Sequence, residues 1–483
     1  LPATVEPAGW PTEAWPVSTP EEQGMDSDLL ADLVDAVVAS GGIDSVMVVR
    51  NGYTVLQTVV YPFPENTGHI VHSCAKGITA TLIGIAIDRG LLAGVDVPVV
   101  EILADRAPET VDQLKASMTV EDLLTMSTGL DCRDSYLHGY EGMVEMQSSD
   151  DWTEHVLALP MAAKPGRRFE YCNGSSLLLS AILSEVTGQP ASEFAAEVLF
   201  APLGITDFAW STDPEGVTIG WGELMLQPPD MAKLGLLYLR DGEWDGGQLV
   251  PPEWVAAATT SQIDAGTLAD GYGYQWWIDD DGWFMAQGFG GQHIIVIPDK
   301  DLVVTYTAAL VGEHMSTPQA LTADYLLAAV LSSTPLAPNP DARARLAAAL
   351  ETARSGPEPV VSALPEMAAT IDGVRYDFRP NDSGNTWFSI RFEDGFAVLS
   401  SEDADGITDL EIGLNGRYAV DATMPVALRG EWRDDSTFAV EFRVIGQIER
   451  GALDFSFGDG VAEVTSYDAA AGTSDTIMAD RAD

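Results

Sequence analysis

Basic residues are scarce in this chain. Of 483 residues, 24 are Lys or Arg and 74 are Asp or Glu, a formal net charge of −50. Such a surface repels nucleic acid and anionic lipid, so neither is expected as a partner. Acidity spread along a whole chain fits solubility in salty or acidic surroundings; the sharper reading is a cationic partner or substrate. Apolar runs stay far short of the roughly 20 residues a membrane helix needs, so no membrane-spanning segment is expected. Cysteine is as rare: Cys74, Cys132 and Cys172. An odd count allows at most one internal disulfide. Free, buried thiols and a Cys132–Cys172 pair both stay open. The cysteines lack C-x-x-C spacing. The histidines (His69, His72, His138, His155, His293 and His314) form no H-E-x-x-H or other ligand pattern. Neither a catalytic metal nor a cofactor is expected.

The composition, 46% hydrophobic, supports a large core and more than one domain. Residues 1–19, "LPATVEPAGWPTEAWPVST", begin without Met and are rich in Pro, Ala and Thr. They read as the exposed arm of a processed, mature chain, which implies an extracellular or periplasmic location. Residues 26–40 have helical periodicity with acidic residues in the first turn. "SVMVVR", "NG" and "YTVLQTVVY" read as a β-hairpin on Asn51-Gly52. Residues 90–260 are mainly helical. Strands return in "HIIVIP" and "LVVTYTA", and a helix around 317–332 follows. Residues 20–335 therefore form an α/β (α+β) domain, an antiparallel sheet built from both ends with a helical insertion between. The proline-rich residues 336–365 predict a linker around a short helical stretch. Residues 366–483 give about eight short alternating runs, the pattern of a small antiparallel β-barrel. That part holds no lysine, histidine or cysteine, and a lid, interface or stabilising role is expected of it.

Five lysines remain to be placed, and only Lys76 has a serine three residues before it, in "HSCAKGITATLIGIAIDRG". Residues i and i+3 share one helix face, which sets Lys76 beside Ser73. A helix start supplies unpaired N–H groups and a positive dipole end, both favouring negative charge at Ser73. The same field and burial disfavour an ammonium, so Lys76 can hold a neutral amine that takes the Ser73 proton. "FEYCNGSS" carries Tyr171 and Asn173 just before an apolar helix. A phenol beside an ammonium ionises more readily and can relay a proton; Asn173 can hydrogen-bond the lysine or a substrate amide. In "AQGFGGQHIIVIPDKDLVV", glycines before an apolar strand permit close backbone approach to a substrate.

In this order, the three motifs resemble those of the serine β-lactamase and penicillin-binding protein superfamily, over roughly residues 20–335. The resemblance is closest to class C β-lactamases, family VIII carboxylesterases and 6-aminohexanoate-dimer hydrolases. "LLTMSTGLD", "LFAPLGITDFAW" and "MAKLGLLYLRDGEWDGGQLVPPEWV" also look like family stretches. It implies a β-lactamase-like fold in which Ser73 is the nucleophile, Lys76 the base and Tyr171 a proton carrier. Asn173 belongs to the second motif. Phe289-Gly290-Gly291 stands at the third motif, and the Ser73 and Gln292 N–H groups form the oxyanion hole. The C-terminal part resembles, by pattern, the lipocalin-like barrel appended to some peptidases of the superfamily. Phe289 occupies the place of a lysine or histidine that anchors a substrate carboxylate. That departure favours a small ester or amide over a penicillin, with Phe289 as an apolar wall; Arg133, Arg167 or Arg168 is the alternative source of a cation. The competing readings are a β-lactamase or D-amino-acid peptidase, and a penicillin-binding sensor without turnover. Tyr136, His138 and Tyr140 are expected to line the cleft on a loop. The oligomeric state is left open.

Overall fold

The computed structural model describes residues 9–134, 140–360, 363–421, 424–470 and 472–482. Asp26 caps α1 (Ser27–Ala39), its carboxylate accepting from the N–H groups of Asp28 and Leu29. β1 (Ile43–Arg50) and β2 (Tyr53–Val59) follow, joined by a turn in which Asn51 and Gly52 have φ of 51° and 79°. Both residues tolerate this left-handed conformation, which matches the strand twist. The insertion contributes α2 (Ala75–Asp88), α3 (Asn173–Thr187) and α4 (Pro228–Leu239). The sheet is completed by β3 (Gly271–Tyr272), β4 (Trp277–Ile278), β5 (Phe284–Gly288), β6 (Gln292–Ile297) and β7 (Leu302–Ala308).

These seven strands form one antiparallel sheet, ordered β2-β1-β7-β6-β5-β4-β3. Its two halves, far apart in sequence, join where Val48 of β1 faces Val304 of β7. Alternation along β1 sends Met47 and Val49 into the core with the helical insertion, and Val46 and Val48 into the core with α1. Both faces are covered, so every residue of β1 is buried. The helix expected at 317–332 spans 317–329 and changes pitch through a π-turn at Thr322–Leu326.

Three segments differ from the sequence expectation. Residues 9–19 lie along the domain instead of standing clear of it. Trp10 packs against Trp244 at 5.1 Å, and Trp15 donates to the Pro229 carbonyl at 3.2 Å. The helical stretch expected within the linker is α5 (Pro340–Ser355), but it does not span free between domains: its Leu346, Ala349 and Ala353 join the α1 core. The C-terminal sheet has ten strands rather than eight. They are β8 (Arg375–Phe378), β9 (Trp387–Phe392), β10 (Phe396–Asp403), β11 (Gly406–Gly413), β12 (Ala419–Val420), β13 (Val426–Trp432), β14 (Thr437–Val444), β15 (Arg450–Gly458), β16 (Val461–Asp468) and β17 (Thr473–Arg481). β8 is short, and β17 is mostly polar and exposed, so neither carries a clear alternating pattern. Contact between β11 and β13 closes the sheet into a barrel, filled by Phe388, Phe438, Phe455 and Phe457.

The barrel docks on the first domain through the β14–β15 hairpin. The Gly446 carbonyl accepts from the Ile70 N–H at 2.8 Å, and a Cβ at Gly446 would collide with the Gly68 carbonyl oxygen. The adjacent Arg443 guanidinium pairs with buried Asp44 at 2.7 Å, and the other Asp44 oxygen meets His69 Nε2 at 3.3 Å. Among the described residues, no helix is long and apolar enough to cross a membrane.

Candidate active site

Ser73 lies in a single 3-10 turn, His72–Cys74, that feeds directly into α2. Lys76 falls in the first turn of α2 and is 1% exposed. Its Nζ lies 2.9 Å from Ser73 Oγ, 2.6 Å from Asn173 Oδ1 and 2.9 Å from the Trp221 carbonyl oxygen. Burial pushes the Lys76 pKa down to about 7, against smaller opposing effects of Asp134 and Cys74. A neutral amine thus exists near neutral pH, as the i, i+3 reading requires.

Tyr171 shares a hydrogen bond with Ser73, and its ring stacks on Trp277 at 5.8 Å. Its electrostatics differ from the sequence expectation. Burial pushes the phenol pKa well above its ordinary range, outweighing the Ser73 hydrogen bond, so Tyr171 stays protonated. Lys76 Nζ lies over this ring, 4.9 Å from its centre, and an amine only about half protonated near pH 7 does little to offset the burial of a phenolate.

Two further groups hold the cluster. Cys132 and Cys172 form a disulfide, one of the two arrangements the sequence left open, and Cys74 is the free, buried thiol. The bridge sets Asp134 beside the start of α3, where its Oδ2 accepts from the Asn173 N–H at 2.5 Å. Burial raises the Asp134 pKa, against the Asn173 hydrogen bond and Lys76. Asp134, Cys132 and Cys172 bring potential metal-binding atoms together, but the two sulfurs are bonded to each other. Asp134, the Trp221 carbonyl and Glu223 escaped sequence reasoning; Asp134 stands two residues before Tyr136, with nothing local to mark it.

These residues face a cavity of about 510 Å³. Ser73, Tyr171 and Asn173 line it with His72, Tyr140, Trp221, Glu223, Trp277, Gln287, Gly288 and Phe289. Tyr140 and His72 each meet Phe289 edge-on, at 6.4 and 6.0 Å. Burial lowers the His72 pKa to about 3, so the ring is neutral. Tyr136 and His138 lie outside the described residues.

The third motif is offset from its sequence placement. β5 runs beside the Ser73 turn, with β6 reaching it at Cys74, whose thiol meets the Gln292 carbonyl, and Gly288 is the close-approach glycine: a Cβ there would collide with the Val71 carbonyl oxygen. Phe289 lines the cavity, but Gly290 and Gly291 do not. Their φ of 81° and 94° make the hairpin turn, and both are buried, Gly290 beneath Ile448 of the barrel. Gln292 is fully buried in β6, paired with Gly288, and its side-chain amide donates to the Ala308 carbonyl at 2.5 Å. It does not line the cavity, so its N–H is not placed to serve as an oxyanion donor; the strand residue at the cavity wall is Phe289. Arg133 pairs with Glu141 and Glu145, and Arg168 with Glu170. Among the described residues, no lysine or arginine lines the cavity.

The sequence profile of the β-lactamase family matches residues 30–329. A 6-aminohexanoate-dimer hydrolase of Paenarthrobacter ureafaciens is 23% identical over 283 residues, covering 54% of this chain and 71% of that protein. A solved hydrolase with promiscuous acyltransferase activity superposes with a TM-score of 0.53 at 17% identity, covering 63% of this chain and 99% of its own. Likeness at that identity speaks for the fold alone. With the profile spanning more than half of the chain, and with Ser73 and Lys76 in contact at the head of a buried helix, this protein belongs to the β-lactamase family of hydrolases.

Proposed function

We propose that this chain hydrolyses a small ester or linear amide through an acyl-enzyme on Ser73. The observation that carries this reading is the contact of Ser73 with a buried, low-pKa lysine, in a cavity that, among the described residues, no lysine or arginine lines. Ser73 Oγ attacks the substrate carbonyl carbon while its proton passes to Lys76 Nζ. The N–H groups of Ser73 and Phe289 receive the developing oxyanion. As the tetrahedral species collapses, the Tyr171 hydroxyl protonates the departing alkoxide or amine and is reprotonated from Lys76. Water then attacks the acyl carbonyl; its proton passes to Lys76, and Ser73 leaves as the free hydroxyl. The 6-aminohexanoate-dimer hydrolase relative supports the linear-amide alternative. The disulfide supports a location in an oxidising compartment, extracellular or periplasmic.

The test compares kcat/KM for p-nitrophenyl butyrate and the cephalosporin nitrocefin, with Ser73→Ala beside the wild type. A charge-assisted bond to a carboxylate is worth about 1.5–3 kcal/mol, roughly ten- to a hundredfold in binding, and among the described residues that line this cavity no lysine or arginine offers one. The butyrate ester is therefore expected to be preferred, and Ser73→Ala to lose on the order of 10³-fold or more with its fold intact. Preference for nitrocefin would overturn the substrate assignment. Near-normal turnover by Ser73→Ala would overturn the nucleophile.

A further inference from the structure

Glu223 is the one carboxylate among the described residues that line the cavity. It sits two residues beyond Trp221, whose carbonyl holds Lys76, and takes a left-handed backbone conformation, φ 52°. Among the described residues it makes no ion pair. The Lys76 amine is already committed to Ser73, Asn173 and the Trp221 carbonyl. A second carboxylate acts on it from the barrel: Glu449, exposed on the docked β14–β15 hairpin, raises the Glu223 pKa, as does burial, the larger cause. Among the described residues that line the cavity, Glu223 therefore has no lysine or arginine to pair with. The remaining walls are rich in aromatic rings: Tyr140, Tyr171, Trp221, Trp277 and Phe289. Ring faces around a carboxylate are a favourable environment for an organic ammonium, which gains both cation–π attraction and charge pairing. A chain of net charge −50 also draws cations toward it.

We propose that the site selects substrates carrying an organic ammonium group, paired by Glu223 and enclosed by the aromatic walls, with Glu449 of the barrel contributing to the field. This gives the C-terminal domain a part in specificity and deepens the ester or amide reading, on which its turnover measurement rests.

The experiment uses the full chain and two isosteric pairs. One places the cation in the leaving group: butyrylcholine against 3,3-dimethylbutyl butyrate. The other places it in the acyl group: the p-nitrophenyl esters of 4-(trimethylammonio)butyrate and 5,5-dimethylhexanoate. In at least one pair, kcat/KM for the cationic member should exceed that of the neutral one by about tenfold or more. That ratio should collapse toward one in Glu223→Gln and fall part of the way in Glu449→Gln, whose exposed position makes misfolding no concern. A ratio near one in both wild-type pairs, or a ratio that survives both substitutions, overturns the proposal. If no ester is turned over, the ester reading fails separately, and binding is read from phenyltrimethylammonium protecting Ser73 against a fluorophosphonate. Protection that Glu449→Gln weakens upholds the ammonium site, and absence of protection overturns it.

Discussion

Replacing Lys76 by arginine separates a base from an anchoring charge. Lys76 is fully buried, and burial brings its pKa from 10.5 to about 7, so near pH 7 about half of the molecules hold a neutral amine. At the ordinary value the neutral fraction would be on the order of one in 3,000. Arginine keeps the charge and can still donate to Asn173 Oδ1 and the Trp221 carbonyl, but a guanidinium with a pKa above about 12 is essentially never neutral. General-base assistance is typically worth about 10²–10⁴-fold. Lys76→Arg should therefore lose about 10³-fold in kcat/KM on p-nitrophenyl butyrate and fall within about tenfold of Lys76→Ala. The pH profile adds a sign. The active form of Lys76 is the unprotonated one, so the wild-type rate should rise as pH increases through about 7 and fall below it, and this rise should vanish in Lys76→Arg. Steady-state kinetics from pH 5 to 9, with melting curves to confirm folding, make the comparison. Retention of more than about a tenth of wild-type activity by Lys76→Arg, or a wild-type rate that drops as pH rises through 7, would refute the role.

Three more outcomes follow from the geometry. Gly288→Ala puts a methyl against the Val71 carbonyl and should displace β5 from the Ser73 turn, lowering kcat/KM by about 10²-fold with little change in melting temperature; activity within twofold of wild type would remove β5 from the site. Replacing Cys132 and Cys172 together by alanine opens a loop of sequence separation 40 and should cost about 4 kcal/mol, lowering Tm by about 4–6 °C in calorimetry, along with activity because Asp134 and Asn173 lose their tether; an unchanged Tm would show that the loop is held by packing alone. Arg443→Ala removes the guanidinium paired with buried Asp44 and should destabilise the chain by about 3–5 kcal/mol, measured by denaturant unfolding, whereas a change under 1 kcal/mol would mean that this ion pair does not hold the barrel on the first domain.

The sequence by itself determined what depends on neighbours along the chain. Helix geometry brings Ser73 and Lys76 together whatever surrounds them, because residues three apart share a face. The Asn51-Gly52 turn and the Asp26 cap are written in the same local chemistry. Alternating strands announced the barrel, although polar β17 and short β8 passed unseen because backbone pairing with their neighbours, not a hydrophobic pattern, defines them. Tertiary structure decided the rest. Lys76 meets Asn173 and Trp221 across 97 and 145 residues, and no local signal marks Asp134 or Glu223. The oxyanion strand was misplaced for a related reason. Two glycines in a row look like the close-approach point, but those glycines serve the turn, and Gly288 serves the approach. The protonation of Tyr171 was likewise a matter of burial. A pKa reports how much water and charge surround a group, and those surroundings exist only once distant segments have packed.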